Sequence, residues 1–281
     1  MLEGAPWRLK ALGWLPRKGL SRLTGKIVHA ESPRWWATFL RGFLIKVLKV
    51  PTHEAEKPVE EYPSFGAFFA RKLKDGERPL AEADLVSPCD GTLEQEGVIE
   101  DGQLFQCKGK TYHLFDLLGD VELARHYEGG RFMTIYLAPH NYHRVHWPLA
   151  GELESTRYIS GDLWPVNQMS VEHVERLFCI NERYLSTLRH PEGKLTLIMV
   201  GATNVGSMDL EHLSNENQAL VEARGGAWYE HHGESIEKGS AFGTFNMGST
   251  VILLLDSSLS SALGVDNVPH GELLFGQGLI R

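Results

Sequence analysis

Three short segments of the 281-residue chain combine residue types that could carry out chemistry. Asp90 precedes a glycine in SPCDGT, His143 and His146 lie close together in PHNYHRVHWP, and Gly248 and Ser249 precede an apolar run in NMGSTVILLL. Each segment alone also fits a turn or a surface loop. Together they supply an acid, a base and a hydroxyl, in which Asp orients His and His takes the proton from Ser. The residue types therefore predict a triad of Asp90, His146 and Ser249.

Two other chemistries fit these residues less well. A metal-dependent hydrolase could use His143 and His146, but a metal site needs at least a third ligand. His231 and His232 are candidates, yet adjacent side chains on an extended segment point to opposite faces. We therefore predict no bound metal. A serine hydrolase would carry a G-x-S-x-G elbow, which the sequence lacks.

The elements that must position these residues are mainly short strands. Apolar, β-branched runs at 131–137, 195–200 and 250–255 predict strands, and helical patterns occur near 112–118 and 171–178. Aromatic residues at helical spacing also predict a short helix within 65–73. We expect an α+β fold, in which N-terminal amphipathic helices precede a mainly antiparallel β-sheet core with short helices.

The N-terminal region has its own charge and periodicity. The first 50 residues hold ten Lys and Arg against two Glu, although the whole chain has a net charge of −8. Segment 33–49 has a helical pattern with an apolar arc opposite Arg34, Arg41, Lys46 and Lys49. The apolar arc comprises Trp36, Phe39, Leu40, Phe43, Leu44, Val47 and Leu48.

This pattern fits either a helix lying on an anionic membrane or a helix packed on the core. We predict membrane-docking helices at 1–50 and a catalytic domain at 51–281. Arg41 and Lys46 interrupt the best candidate for a membrane span. The acidic body of the chain argues against nucleic acid as a partner.

At these residues the sequence closely resembles the bacterial phosphatidylserine decarboxylases, over essentially its whole length. The motifs that carry the resemblance are FGAFFARKLKDGERP, SPCDGTL, QCKGKTYHL, YLAPHNYHRVHWP, GDLWPVN, LFCINER, VGATNVGS and FNMGSTV. One departure is Met247, where the family usually has Leu before Gly-Ser-Thr. The exchange nearly conserves volume, so we expect slower or unchanged processing.

The resemblance implies a proenzyme that cuts itself between Gly248 and Ser249. His146, held by Asp90, would deprotonate Ser249, whose oxygen would attack the carbonyl of Gly248. Glycine suits that position because it places no side chain in the path of the hydroxyl. Ser249 would then become a covalent pyruvoyl group, which is the implied cofactor.

The implied products are a large chain, 1–248, and a small chain, 249–281, which stay together. The implied reaction converts phosphatidylserine to phosphatidylethanolamine and CO2 through a Schiff base on the pyruvoyl group. His143 would donate a proton or position the substrate. The family also implies a peripheral protein on the cytoplasmic face of the bacterial inner membrane, with a homodimer as a further expectation.

A non-enzymatic lipid-binding module is the other alternative. The KGSAFGTF run near residues 238–245 is similar to the Gly-rich turns of biotinyl and lipoyl carrier domains. No Met-Lys-Met occurs there, so the run offers no obvious lysine for modification.

Overall fold

The chain folds into N-terminal helices followed by a body built on a large antiparallel sheet, which confirms the predicted α+β class. The computed structural model describes residues 6–107, 109–203, 208–246, 249–266, 268 and 270–280. The strands are β1 Gly91–Val98, β2 Gln103–Cys107, β3 Lys110–His113, β4 Arg131–Leu137, β5 Arg144–His146, β6 Gly151–Ile159, β7 Arg183–His190, β8 Gly193–Val200, β9 Met208–Leu210, β10 Tyr229–Ile236, β11 Ala241–Phe245, β12 Ser249–Leu255 and β13 Gly271–Leu273.

The helices are short except at the N-terminus. They are α1 Trp7–Trp14, α2 Arg17–Val28, α3 Arg34–Leu48, α4 Phe65–Phe69, α5 Leu114–Leu118, α6 Val121–His126, α7 Gln168–His173, α8 Leu177–Ile180, α9 Asn215–Ala223 and α10 Ser257–Ala262. The helical pattern near 171–178 therefore corresponds to two helices, α7 and α8. Asn167 caps the first of these, since its side chain accepts a hydrogen bond from the backbone N–H of Ser170.

The large sheet has eight strands in the order β10-β6-β7-β8-β12-β4-β1-β13, with every neighbouring pair antiparallel. Strand β12 lies near the middle, between β4 and β8, and every one of its residues is buried. A strand covered on both faces has a continuous apolar sequence instead of an alternating one. The run TVILLL at 250–255 has this composition, and it forms much of the core.

A small sheet, β5-β11-β9, holds the histidine segment against the body. In it, Arg144 pairs with Thr244 and His146 with Ala241. The backbone N–H of His146 also donates to the carbonyl of Pro88, at 2.8 Å. This bond joins the histidine segment to the SPCDGT loop. Two of the three predicted segments therefore lie side by side.

Helix α3 packs differently from the sequence-based prediction. The prediction placed Arg41 on the outer, charged face, but Arg41 is buried and its guanidinium donates to the carbonyl of Tyr62. The inner face of α3 meets a second hydrophobic cluster, which includes Phe65, Phe68 and Phe69. As a result, part of the predicted apolar arc, including Phe39 and Phe43, lies exposed. The described residues contain no helix long and apolar enough to cross a membrane.

Candidate active site

Ser249 is the first residue of β12, where it pairs with Leu137 of β4. Its side chain is fully buried, and its hydroxyl has no hydrogen-bond partner in the part of the chain that the structure describes. A buried hydroxyl without a partner costs about 1–3 kcal/mol, so this group calls for an explanation, and a chemical role is one that its place in the cleavage motif favours. Met247 and Gly248, the other residues of the predicted cleavage motif, lie outside the described residues.

His143 is held in a loop that leaves β4. A turn closes this loop, in which the side chain of Asn141 accepts the N–H of Ala138 at 2.7 Å. The Nδ1–H of His143 donates to the carbonyl of Asn141, at 2.9 Å. In a neutral imidazole the other nitrogen, Nε2, then carries the lone pair. This Nε2 is buried and has no partner among the described residues. It is a proton acceptor that no neighbouring side chain uses.

Burial lowers the pKa of His143 to about 3, against a smaller opposing contribution from its hydrogen bond to Asn141. The ring also contacts Phe69, with 4.0 Å between ring centroids. His143 is therefore neutral at physiological pH. If it gains a proton during a reaction, the resulting imidazolium is a strong acid that returns the proton readily.

This buried imidazole predicts a measurable pH dependence of stability. The unfolded chain protonates His143 near pH 6.5 and the folded chain only near pH 3. The contribution of His143 is therefore fully present above pH 6.5, and it is lost as the pH falls through this window. The slope is at most about 1.4 kcal/mol per pH unit for one group. Denaturant titrations between pH 3.5 and 7 should show a flatter free energy of unfolding for His143→Gln.

The comparison is best made in a Ser249→Ala background, so that every sample is a single chain. His140→Gln is the matched control, because His140 is exposed in the same loop. It should keep the slope of the parent. A parallel slope for the parent and His143→Gln would mean that His143 is not buried in the neutral form.

His146 is oriented by two hydrogen bonds and one stacked ring. Its Nδ1–H donates to the carbonyl of Gly239 at 2.9 Å, and its Nε2 accepts the hydroxyl of Tyr142 at 3.0 Å. The ring of Phe275 stacks on it, with centroids 3.8 Å apart and planes at 15°. Burial lowers the pKa of His146, while the Gly239 carbonyl and, more weakly, the charge of Asp90 oppose that shift. The neutral form, with its lone pair on Nε2, is favoured.

Asp90 is buried but does not bond to His146 in the described contacts. Its carboxylate accepts two hydrogen bonds from Arg78, at 3.1 and 2.7 Å, and one from the backbone N–H of Phe275, at 2.8 Å. Arg78 in turn pairs with Glu54 at 3.0 Å. Asp90 is therefore connected to His146 only indirectly in the described contacts. Its carboxylate binds the backbone N–H of Phe275, and the ring of Phe275 covers the imidazole.

Sequence reasoning missed Tyr142, Phe275 and Arg78. Tyr142 lies within the predicted histidine segment, so proximity in sequence could have pointed to it. Phe275 is distant in sequence from Asp90 and His146, which it contacts. Arg78 lies within the motif FGAFFARKLKDGERP, but no local pattern indicates its contact with Asp90. A cavity of about 360 Å³ opens beside His146. Its lining includes Tyr142, Phe275, Arg78, Arg144, Lys72 and Lys74.

The two alternatives gain little from the geometry. In the described part of the chain, no three His, Cys, Asp or Glu residues are grouped as a metal site would require. The KGSAFGTF run forms strand β11 within the small sheet. Lys238 at its start donates to the carbonyls of Ala81 and Ala83, so its amine is already engaged.

A buried serine hydroxyl and two oriented histidines beside an antiparallel sheet are typical of an enzyme active site. The family model for phosphatidylserine decarboxylase matches residues 65–280. The phosphatidylserine decarboxylase proenzyme of Brevibacillus brevis is 40% identical over 276 residues, which cover 94% of each chain. Those of Methylobacillus flagellatus, with 89% of each chain covered, and Vibrio campbellii, with 86% of this chain and 87% of the relative, are also 40% identical. The chain belongs to the phosphatidylserine decarboxylase family, which confirms the resemblance seen in the sequence.

Proposed function

We propose that this chain cuts itself between Gly248 and Ser249 and then decarboxylates phosphatidylserine to phosphatidylethanolamine and CO2. The observation that carries the proposal is the buried hydroxyl of Ser249, which has no partner among the described residues; Ser249 is the first residue of a central strand in a member of this family. Such a hydroxyl is available for attack on the preceding carbonyl. Ladder hydrogen bonds to β4 and β8 would keep the small chain in place after the cut.

Self-cleavage needs a base, and His146 is our candidate. The bond of its Nδ1–H to Gly239 leaves the lone pair on Nε2, which Tyr142 occupies in the uncut chain. Nε2 would take the proton of Ser249 as its oxygen bonds to the Gly248 carbonyl carbon. The C–N bond then breaks, and the amine of Ser249 takes the proton back. Loss of the α-proton of Ser249 expels the new carboxylate of Gly248, and hydrolysis releases ammonia.

The residues around Ser249 fit a pyruvoyl group made from that serine, because its side chain makes no hydrogen bond to the described residues that conversion would break. When formed, this group supplies a carbonyl that holds the amine of the substrate and accepts electrons as CO2 leaves. The Nε2 of His143, which has no hydrogen-bond partner among the described residues, can hold a proton during the reaction and pass it to the α-carbon of the product.

We also propose that α3 lays the enzyme on an anionic membrane, as a peripheral protein of the cytoplasmic face. One side of α3 exposes a row of large apolar residues at i, i+4 spacing: Trp35, Phe39, Phe43 and Val47. Exposed apolar rows of this kind mark interaction surfaces. Helix α3 packs on α4, and Phe69 of α4 contacts the ring of His143. The surface that would meet lipid is thus linked to the site by two contacts, that of α3 with α4 and that of α4 with His143. Homodimerisation stays a prediction.

Replacing this apolar row should weaken membrane binding. Each buried phenylalanine contributes about 1.5–3 kcal/mol, so Phe39→Ser with Phe43→Ser should lower partition into phosphatidylserine-containing vesicles at least about 10-fold. Phe105→Ser is the control, since Phe105 is as exposed, at 54%, on a strand outside the helices. Co-sedimentation with vesicles measures the effect. Equal binding by all three proteins would contradict docking through α3.

The charges of the helix give a second arm to that experiment. Arg34→Glu with Lys46→Glu should weaken binding to anionic vesicles but not to neutral ones, at about 1 kcal/mol per cation removed. Arg41 is unsuitable for charge reversal, because it is buried against Tyr62. Equal loss on neutral vesicles would indicate unfolding of the helix instead of lost attraction.

Mass spectrometry of the purified chain tests the proposed function directly. An uncut chain has a mass of 31.5 kDa. We expect two pieces, the smaller blocked at its N-terminus by a group that borohydride reduces in the presence of phosphatidylserine. An uncut chain that releases CO2, or one inhibited by chelators, would point to another chemistry.

A further inference from the structure

Arg71 is a buried cation that has no hydrogen-bond partner in the described part of the chain. It lies two residues beyond α4, with a relative exposure of 1%. Its three guanidinium nitrogens, Nε, Nη1 and Nη2, are all closed to solvent and make no hydrogen bond within the described residues. The guanidinium carbon lies 5.2 Å from the ring centroid of Phe68. A buried charge of this kind is unfavourable unless something else binds it.

The other buried arginines are used differently. Arg183 is 2% exposed and donates to four backbone carbonyls, those of Leu117, Cys179, Asn181 and Asp116. Arg41 donates to the carbonyl of Tyr62. These two arginines stabilise the fold through their hydrogen bonds. Arg71 makes no comparable contribution, so its retention in the interior needs another reason.

Arg71 belongs to the surroundings of the active site. Phe69 contacts the ring of His143, and the carbonyl of Ala70 accepts the Nε–H of Arg144 at 3.0 Å. The segment that carries Arg71 is therefore fastened to the histidine segment. In addition, the positive charge of Arg71 contributes to lowering the pKa of His143. The carboxylates whose charges act on Arg71, those of Glu54 and Asp90, both accept hydrogen bonds from Arg78.

We propose that Arg71 binds the phosphodiester of the lipid headgroup during decarboxylation, which deepens and rests on the proposed function. The planar fork of a guanidinium matches two phosphate oxygens. In the serine headgroup the phosphorus lies three bonds from the α-carbon, so a cation beside His143 is at a suitable range. The cavity next to this segment, lined by Lys72, Tyr142 and other residues, offers an approach for an anion.

The substrate also has a carboxylate, but that group is a poorer choice for Arg71. A cation bound to the carboxylate would stabilise the charge that must be lost as CO2 leaves, and would slow the reaction. The phosphodiester keeps its charge from substrate to product. Binding it therefore positions the headgroup without raising the barrier, and burial strengthens the attraction.

Arg71→Met and Arg183→Met, made in the full chain, separate binding from structure. Arg71→Met removes an unpaired charge, so its unfolding temperature should equal or exceed that of the wild type. Arg183→Met leaves four carbonyls without donors and should unfold at a lower temperature. A clear loss of stability in Arg71→Met would assign the residue a structural role and overturn the proposal.

The activity measurement compares two amine substrates, phosphatidylserine and an O-alkyl serine. Arg71→Met should be cut normally but should decarboxylate short-chain phosphatidylserine roughly 10–100-fold more slowly, as expected for loss of a charged hydrogen-bond partner. On an O-alkyl serine, which lacks the phosphate, wild type and variant should be equally slow. Arg71→Lys should recover part of the rate on the phospholipid. Equal losses on both amines, or an uncut Arg71→Met, would overturn the assignment.

Inorganic phosphate distinguishes a lipid headgroup from a free anion. It should inhibit the wild type more than Arg71→Met, in competition with phosphatidylserine. Inhibition that depends on Arg71, together with an unchanged preference between the two amines, would assign the site to free phosphate and overturn the lipid proposal. If the wild-type chain is uncut and inactive on both amines, the proposed function and this inference are both wrong. If the wild type is cut and active and Arg71→Met is equally active, the inference about Arg71 is wrong while the proposed function stands.

Discussion

Ser249→Ala should remain a single chain of 31.5 kDa and release no detectable CO2 from phosphatidylserine. Without the hydroxyl there is no nucleophile for the Gly248 carbonyl, so no ester forms from which a carboxylate could be expelled on the way to the ketone. The variant should fold at least as well as the wild type, because the substitution removes a buried hydroxyl for which the described residues offer no partner. Intact-mass analysis and a CO2 assay on the same preparation measure both effects.

A second serine of the small chain provides the control. Ser260 is also buried, at 7% exposure, and its hydroxyl donates to the carbonyl of Ser257 at 3.2 Å. Ser260→Ala should lose that hydrogen bond but still be cut and active. Decarboxylation by uncut Ser249→Ala would show that the carbonyl group arises elsewhere, and the proposed cofactor would be wrong.

Strands could be predicted from the sequence where local pattern and burial agree. The run at 131–137 matches β4 at both ends, and the run at 250–255 misses only the first residue of β12. Both are apolar stretches that the centre of a sheet requires. The order of the strands could not be predicted, because β12 lies beside β4 through contacts between segments far apart in the chain.

Helix α3 shows the limit of a periodic pattern. The spacing of its apolar residues predicts a helix with a polar side and an apolar side. It does not predict which side packs against the rest of the protein. The carbonyl of Tyr62 accepts the guanidinium of Arg41, so this cation turns inward. Phe39 and Phe43, which the pattern treats as one arc with Leu44, remain outside. The side that packs inward is the one that meets both this carbonyl and the second hydrophobic cluster, and the pattern within the helix contains neither.

The candidate site, like the fold, could be predicted from the sequence only in part. The residue types of His143 and His146 made them candidates, but only His143 is oriented by nearby backbone, that of Asn141; His146 binds the carbonyl of Gly239, 93 residues away. Asp90 was predicted from its residue type to orient His146, yet the structure places Phe275 between them. Positions 90 and 275 are 185 residues apart, so no spacing in the sequence could indicate this contact. The triad of Asp90, His146 and Ser249 stays a prediction. Phe275 is not part of it, but it contacts both Asp90 and His146.

His146→Ala should block self-cleavage almost completely, whereas His143→Ala should be cut but turn over poorly. General base catalysis contributes about 10²–10⁴-fold, so His146→Ala should slow cutting by at least about 100-fold. His143→Ala should slow decarboxylation within the same range. Timed intact-mass analysis of freshly expressed protein measures cutting, and CO2 release from the cut fraction measures turnover. If His143→Ala stays uncut while His146→Ala is cut, the two roles are exchanged.

Phe275→Ala decides how Asp90 acts on that base. If the carboxylate orients His146 through Phe275, removing the ring should slow cutting even though Asp90 and Arg78 are unchanged. Asp90→Asn keeps an acceptor for the backbone N–H of Phe275 but weakens the pair with Arg78, so it should slow cutting less than His146→Ala. Phe275→Leu, which keeps an apolar cover, should lie between Phe275→Ala and the wild type. Cutting at the wild-type rate in Phe275→Ala, with slow cutting in Asp90→Asn, would require direct contact between Asp90 and His146 during the reaction.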